Sequence, residues 1–192
     1  MDKIARRLAS MASVMHLVAY ALYNSAVLSG VTRPNLVPWA IWGALAVLNA
    51  VTYRQQTGDK VKAMLSQAGA VAAVITFMVA ASMGGVFQNI TYTNSFLLAS
   101  AFVAVVIWKV GSAKYANFCV IAAVAVGFVP FFKDPSGERV LPWLCWSIAT
   151  CIGVAVVYLR PKDRKNSDFI MPVSLAALHT GVLIRILCTF GG

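Results

Sequence analysis

Polar and aromatic side chains that could bind a small solute lie inside stretches of the sequence that are otherwise apolar. His16, Tyr20 and Asn24 are spaced at i, i+4 and i+8, which places them near one face of a helix. Trp42 and Asn49 lie in a second apolar stretch. Indole rings offer stacking faces, and neutral imidazole, phenol and amide groups form hydrogen bonds. This chemistry suits a small, uncharged, ring-bearing solute such as a sugar, a nucleoside or a vitamin.

The same chemistry recurs around Trp146 and His179, late in the chain. By depth, Tyr20 and His179 are predicted near the middle of a membrane. Trp42, Trp146 and Asn24 are predicted roughly 5–7 Å nearer its outer face. The predicted substrate-binding residues are Tyr20, Asn24, Trp42, Asn49, Trp146 and His179. Each of them could instead bond only to a neighbouring helix and serve structure, and that alternative stays open.

The composition places these residues in a membrane protein. Hydrophobic residues make up 60% of the 192 residues and charged residues 11%, whereas soluble domains carry roughly 25% charged residues. The apolar runs between the charge clusters predict an all-α membrane protein with seven transmembrane helices. The predicted helices cover residues 8–30, 37–53, 63–83, 94–109, 115–132, 140–159 and 169–190.

The basic residues predict the orientation of the chain. Of the 16 Lys and Arg residues, twelve fall on the side of the membrane that holds the N-terminus and three fall on the other side. This positive-inside bias predicts a cytoplasmic N-terminus and an outside C-terminus, and we expect a bacterial inner membrane. Topology and contact with anionic lipid explain the net charge of +10, so we predict no nucleic-acid partner.

The six acidic residues are all predicted to lie outside the spans. Without an intramembrane carboxylate relay, the sequence favours an uncoupled facilitator over a carrier coupled to protons or sodium. No phosphate-binding glycine loop or metal-ligand cluster is recognisable, so we predict no enzyme activity, no cofactor and no metal. The predicted partners are membrane lipid and a small-molecule substrate, and a homo-oligomer is left open.

A repeat relates the two ends of the chain. The segment LVPWAIW, residues 36–42, returns 104 residues later as VLPWLCW, residues 140–146. The same shift places helix 1 on helix 5 and, after a small gap, helix 3 on helix 7. We therefore predict two parallel three-helix repeats joined by a linker helix. The first repeat covers residues 1–83, the linker helix residues 94–109 and the second repeat residues 115–192.

The Pro-Trp pairs of this repeat have a structural explanation. Proline is tolerated in the first turn of a helix, and tryptophan is enriched at the membrane interface. Trp39 and Trp143 are therefore predicted to face the interface. Trp42 and Trp146 lie one turn deeper, where a tryptophan faces either lipid or the interior of the bundle.

The stretch VGFVPFFKDPSGERVLPWLCWSIATCIG, residues 126–153, resembles the PQ-loop pattern of the SWEET and SemiSWEET sugar transporters. In that pattern a helix ends in Pro-Gln, a short polar loop follows, and the next helix opens with proline and aromatic residues. The resemblance implies hinge prolines at Pro38, Pro130 and Pro142. Phe131 stands where the family has glutamine, and Ala26 stands where it has a proline.

This resemblance implies a facilitative transporter that alternates its access between two helical triplets. The sugar transporters place Trp and Asn on the third helix of each triplet, whereas helices 3 and 7 of this chain offer Gln67 and His179. Bacterial vitamin-precursor transporters of the same three-one-three fold point to a different cargo. The alternative that stays open is a non-transporting scaffold or accessory subunit on a degenerate PQ-loop-like fold.

Overall fold

The computed structural model describes residues 2–31, 36–83, 92–135, 138–161 and 164–190. Within these ranges the chain forms seven α-helices and one short 3-10 helix, and no strand. The α-helices are α1 (Asp2–Leu28), α2 (Leu36–Thr57), α3 (Lys60–Ser82), α4 (Tyr92–Val110), α5 (Ala113–Lys133), α6 (Val140–Leu159) and α7 (Ile170–Phe190). The 3-10 helix, Asn166–Phe169, leads directly into α7. The predicted all-α fold with seven helices is confirmed.

Several of these helices have the length and apolar character of membrane spans. In the described part of the chain, five are long and apolar enough to cross a membrane: α1, α3, α5, α6 and the segment Asn166–Thr189. Residues Asn94–Val110 form a shorter apolar helix. The outer faces carry large apolar side chains, among them Met78, which is 62% exposed, and Phe102, which is 70% exposed. These features are compatible with an integral membrane protein.

Local sequence signals set where the helices begin and end. Gly30 (φ 72°) and Gly58 (φ 63°) follow α1 and α2 in the left-handed backbone conformation, which other residues adopt only with strain. Asp59 then caps α3 by accepting a 2.7 Å hydrogen bond from the backbone N–H of Val61. Ser112 caps α5 by accepting from the backbone N–H of Lys114. These short turns reverse the chain between α2 and α3 and between α4 and α5.

The helices pack in two similar groups. α3 packs against both α1 and α2, and α7 packs against both α5 and α6. Between the groups, α1 packs against α6 and α2 packs against α5, while α4 lies against α5 and α2. Small residues permit the close approach of α1, α3 and α6, because Ala12 and Ala149 are fully buried beside Leu65.

The bundle has two chemically different ends. At the aromatic end, defined by Tyr23, Trp39 and Trp143, α1 and α5 finish and α2 and α6 begin. At the charged end, defined by Lys62, Arg160 and Asp168, α2 and α6 finish and α3 and the 3-10 helix begin. The two ends are therefore separated by the length of the helices.

Candidate functional site

A cavity of about 170 Å³ lies at the aromatic end of the bundle. We call it the outer cavity. Side chains from α1, α2, α4, α5, α6 and α7 line it, so it lies between the two groups of helices. Its aromatic lining consists of Tyr20, Tyr23, Trp39, Trp42, Phe131, Trp143 and Trp146.

Six of these rings form a closed circuit in which each ring contacts the next and the last contacts the first. The order is Tyr23, Trp39, Trp42, Phe131, Trp143, Trp146 and back to Tyr23. Centroid distances range from 5.0 Å for Tyr23–Trp39 to 6.4 Å for Trp146–Tyr23. Tilted and edge-to-face pairs at such distances are favourable. These six rings, which we call the aromatic circuit, therefore form a continuous aromatic wall around the outer cavity.

Glu138 contributes the one carboxylate among the described residues that line the outer cavity. It lies in the loop before α6, where its Oε2 accepts a 2.7 Å hydrogen bond from the indole Nε1 of Trp143. Burial raises the pKa of Glu138, and the hydrogen bond from Trp143 opposes that rise. The site thus combines aromatic faces with one partly desolvated acidic group.

A second, inner cavity of about 80 Å³ lies deeper in the bundle. Tyr20, Trp42 and His179 line both cavities and therefore form the partition between them. Trp42 is fixed in this partition because its ring stacks on Phe128, with centroids 5.3 Å apart and planes inclined by 22°. Ser66 lines only the inner cavity, from α3.

Two histidines bring hydrogen-bonding groups to the inner cavity. His179 Nδ1 donates a 2.7 Å hydrogen bond to the carbonyl oxygen of Leu175, which leaves Nε2 of the neutral ring as an acceptor. His16 lies across from it, with ring centroids 6.4 Å apart. Nδ1 of His16 is buried and has no partner among the described residues. A solute in this space would therefore meet neutral donors and acceptors.

The charged end is closed by a buried ion pair. Lys62 Nζ lies 2.8 Å from Asp168 Oδ2, and both side chains are fully buried. Tyr53 donates a 2.7 Å hydrogen bond from its hydroxyl to the carbonyl oxygen of Asp168, and Gln56 donates to the carbonyl oxygen of Ser167. We call these contacts the latch, because they join α2 and α3 to the 3-10 helix.

Two further ion pairs lie beside the latch, nearer the surface. Arg160 contacts Asp59 at 2.7 Å and Asp2 at 3.1 Å. Burial alone would raise the pKa of Asp59. The hydrogen bonds from Arg160 and from the backbone N–H groups of Val61 and Lys62, together with the guanidinium charge, outweigh that effect and hold the pKa below 3.8. The contacts tie the end of α6 to the starts of α1 and α3.

Two acidic residues lie at the starts of candidate membrane spans, outside the stretches predicted to cross the membrane. Asp2 lies in the first turn of α1, and Asp168 lies at the start of the candidate span Asn166–Thr189. Asp168 is tolerated there because Lys62 neutralises it.

The structure brings five of the six predicted binding residues to the two cavities. Tyr20, Trp42 and His179 line both, and Trp146 lines the outer cavity. The indole Nε1 of Trp146 finds no acceptor among the described residues. Asn49 lines the inner cavity. Its Oδ1 accepts a 2.8 Å hydrogen bond from Asn117, so this side chain also links α2 to α5.

Asn24 lines neither cavity, contrary to the predicted grouping. Residues eight apart on an α-helix differ by about 80° around its axis, because eight residues exceed two turns of 3.6. Asn24 is therefore turned away from the side of α1 that presents His16. Its side-chain oxygen is buried without a partner among the described residues.

The predicted hinge prolines occupy different positions. Pro130 lies inside α5 and lines the outer cavity. Pro142 is buried in the first turn of α6. Pro38 lies in the first turn of α2, and its side chain lies outside the described part of the chain.

The assignment of Trp39 and Trp143 to the membrane interface is wrong. Trp143 is only 2% exposed, and Trp39 donates a 3.2 Å hydrogen bond from Nε1 to the hydroxyl of Tyr23. Both rings belong to the aromatic circuit, and α6, which carries Trp143, packs against α1 and α7. The repeated Pro-Trp-x-x-Trp motif was the signal for these residues, since both of its tryptophans line the cavity.

Within the described residues, no group of three His, Cys, Asp or Glu side chains could hold a metal ion. The chemistry of the two cavities is ring stacking, hydrogen bonding and charge pairing. The sequence matches no protein-family model, and comparison with curated proteins and with solved structures finds no significant match.

Proposed function

We propose that this chain is a facilitative membrane transporter of a small polar solute that packs against aromatic rings. One observation carries the proposal. A solute-sized cavity lies between two groups of helices at one end of the bundle, and a buried ion pair joins the same two groups at the other end. A carrier that alternates its access needs such a site and a closure that can be released.

The packing supports the division into two triplets around a linker helix. In the first triplet α3 contacts α1 and α2, and in the second triplet α7 contacts α5 and α6 in the same way. Between the triplets, the contact of α1 with α6 corresponds to the contact of α5 with α2. α4 stands outside this relation. Rocking one triplet against the other would then close the aromatic end as the charged end separates.

The charge bias gives this movement a direction. Twelve basic residues predicted on one side of the membrane support a cytoplasmic position for the charged end and an outside position for the aromatic end. The structure then corresponds to a carrier closed toward the cytoplasm, with its cavity toward the outside. The proposed location is the bacterial inner membrane.

The roles of individual residues follow from their positions. Trp42 and Trp146 supply stacking faces, and Tyr20 and His179 supply hydrogen bonds at the partition between the cavities. Passage of the solute requires Trp42 and Tyr20 to move apart. Pro130, inside α5 and beside the cavity, removes one backbone hydrogen bond and so favours bending there.

A non-transporting scaffold remains the competing function, and the missing family residues at Ala26 and Phe131 favour it. The two functions differ in what they require of the cavity. A scaffold has no need of an aromatic circuit closed around a space between its helices, whereas a carrier uses that space in each cycle.

The deciding experiment is uptake by proteoliposomes that contain the purified chain. Labelled sugars, nucleosides, vitamins and small amines are offered one at a time, and counterflow of the preloaded solute is measured. We expect saturable uptake of at least one solute, competed by its unlabelled form. Trp146→Ala should lower this uptake, whereas Trp108→Ala, which alters a tryptophan at the charged end, should not. Uptake equal to that of empty liposomes for every solute, including the cations, would refute transport.

A further inference from the structure

The outer cavity has an electrostatic character that the neutral polar residues of the spans do not suggest. Its described lining includes the carboxylate of Glu138 and no Lys or Arg side chain. Lys133 and Arg139 are the closest basic residues along the chain; both are exposed, and neither lines the cavity. Among the described residues, no basic side chain forms an ion pair with Glu138. The cavity therefore favours positive charge.

The aromatic circuit favours the same charge. The face of an aromatic ring carries partial negative charge, and tryptophan attracts cations more strongly than the other aromatic side chains. Four of the seven aromatic residues that line the outer cavity are tryptophans. An anion in this space would face ring faces and a carboxylate. A neutral solute would leave the carboxylate without a charge partner.

We propose that the outer cavity binds a small organic cation, with Glu138 as its counter-ion and the aromatic circuit as its cage. The proposal names the cargo class of the proposed transporter, and its biological meaning rests on that function. The volume of about 170 Å³ limits the cation to the size of a quaternary amine with a short substituent. Trp143 acts as a positioning residue, because its Nε1 holds the Glu138 carboxylate at 2.7 Å.

Choline and its uncharged carbon analogue 3,3-dimethylbutan-1-ol test the proposal, because they share a shape and differ in charge. Binding to the purified chain in lipid nanodiscs is measured by calorimetry and by quenching of tryptophan fluorescence. We expect saturable binding of choline at least tenfold tighter than binding of the alcohol. Equal binding of the two, or no binding of either, would overturn the proposal.

Glu138→Gln should weaken choline binding at least tenfold and leave binding of the alcohol unchanged. Asp2→Asn is the matched control, because it removes a carboxylate at the opposite end of the bundle, 80% exposed. If Glu138→Gln does not fold, Trp143→Phe keeps an aromatic ring and removes the N–H that holds Glu138. That variant should weaken choline binding severalfold. Unchanged choline affinity in the folded variant would refute the role of Glu138.

The outcomes separate this proposal from transport itself. Uptake of a neutral solute, together with equal binding of choline and the alcohol, would leave the transporter standing and refute the cation site. Charge-selective choline binding that depends on Glu138, without uptake of any solute, would support the site and refute transport. If a cation is carried, an inside-negative potential set by potassium and valinomycin should accelerate its uptake.

Discussion

A Cβ atom added to Gly127 would lie 3.0 Å from the indole Nε1 of Trp42. The same atom would lie 3.2 Å from Cε2 and Cζ2 of that ring. The ring cannot rotate away freely, because it also stacks on Phe128. Gly127 therefore fixes how closely α5 approaches the partition between the two cavities.

Replacing Gly127 by Ala should displace Trp42 and weaken binding of the proposed cargo severalfold. Alanine normally stabilises the interior of a helix by about 0.5–1 kcal/mol relative to glycine, and the contact with Trp42 should cancel that gain. Gly43→Ala is the matched control, because its added Cβ would lie no closer than 3.9 Å to any neighbour. Thermal unfolding in detergent and ligand titration measure both effects. A Gly127→Ala variant that gains stability and binds normally would contradict this role.

The latch predicts a strong dependence of stability on charge pairing. Lys62→Met leaves Asp168 buried without its cation, and Asp168→Asn leaves Lys62 buried without its anion. Each single change should cost about 3–5 kcal/mol. The double variant should be more stable than either single variant, since it leaves no unpaired charge. A double-mutant cycle of unfolding free energies measures this coupling, with exposed Lys60→Met as the control. Additive effects would show that the pair is not coupled.

If the proposed transport function holds, weakening the latch without burying a charge should shift the equilibrium toward the conformation that is open to the cytoplasm. Tyr53→Phe removes the hydroxyl that donates to Asp168, which should cost about 1 kcal/mol, or about fivefold in the equilibrium between the two conformations. In a background without the native cysteines, Ser66→Cys reports access to the inner cavity. Its labelling by a thiol reagent from the cytoplasmic side should be faster in the Tyr53→Phe background. Equal rates would mean that this bond does not control access.

Trp146 should contribute to binding of the proposed cargo. Its ring lies 5.1 Å from Tyr20 and 5.2 Å from Trp143, so its loss opens the aromatic circuit. The lost ring contacts are worth roughly 0.5–1.5 kcal/mol beyond buried area, which corresponds to at most about a tenfold increase in Kd. Titration of Trp146→Ala against wild type measures the change. Trp108→Ala, outside both cavities, should bind as wild type does.

The Asp59–Arg160 pair predicts a loss of stability in acid. Because the folded state holds the pKa of Asp59 below 3.8, the unfolded state binds the proton more tightly. The stability that the pair contributes is therefore fully present above about pH 4, the ordinary pKa of an aspartate. It is lost as the pH falls below that value and through the lower pKa of the folded state. Asp59→Asn should remove this part of the acid dependence, amounting to about 1 kcal/mol or less for a pair so near the surface. Unfolding midpoints at pH 6 and pH 3 provide the measurement.

Most of the helices could be predicted because charged residues separate their apolar runs, although no charged residue lies between α3 and α4. The predicted bounds of α6, residues 140–159, coincide with those in the structure, where Arg139 and Arg160 flank the helix. α1 begins earlier than predicted, at Asp2, because charged residues continue the helix beyond the apolar run. The 3-10 helix before α7 was not predicted, since four residues have no periodicity to detect.

The candidate site was only partly predictable. The identities of Trp42, Trp146 and His179 follow from rings and polar groups placed within apolar stretches. Glu138 was missed as a cavity residue because it lies in a loop, where sequence alone indicates exposure. The Lys62–Asp168 pair was missed because its partners are 106 residues apart, and no local pattern reports which charges meet after folding.

That separation has a consequence for the origin of the chain. Lys60 and Asn166, the first residues of α3 and of the 3-10 helix, are as far apart in sequence as Lys62 and Asp168. If the two triplets descend from one duplicated segment, the partners of the ion pair hold equivalent places in the two copies. A symmetric ancestor with two lysines or two aspartates there would bury like charges against each other. With lysine in one copy and aspartate in the other, each copy would form this ion pair only with the other copy and not with a second copy of itself.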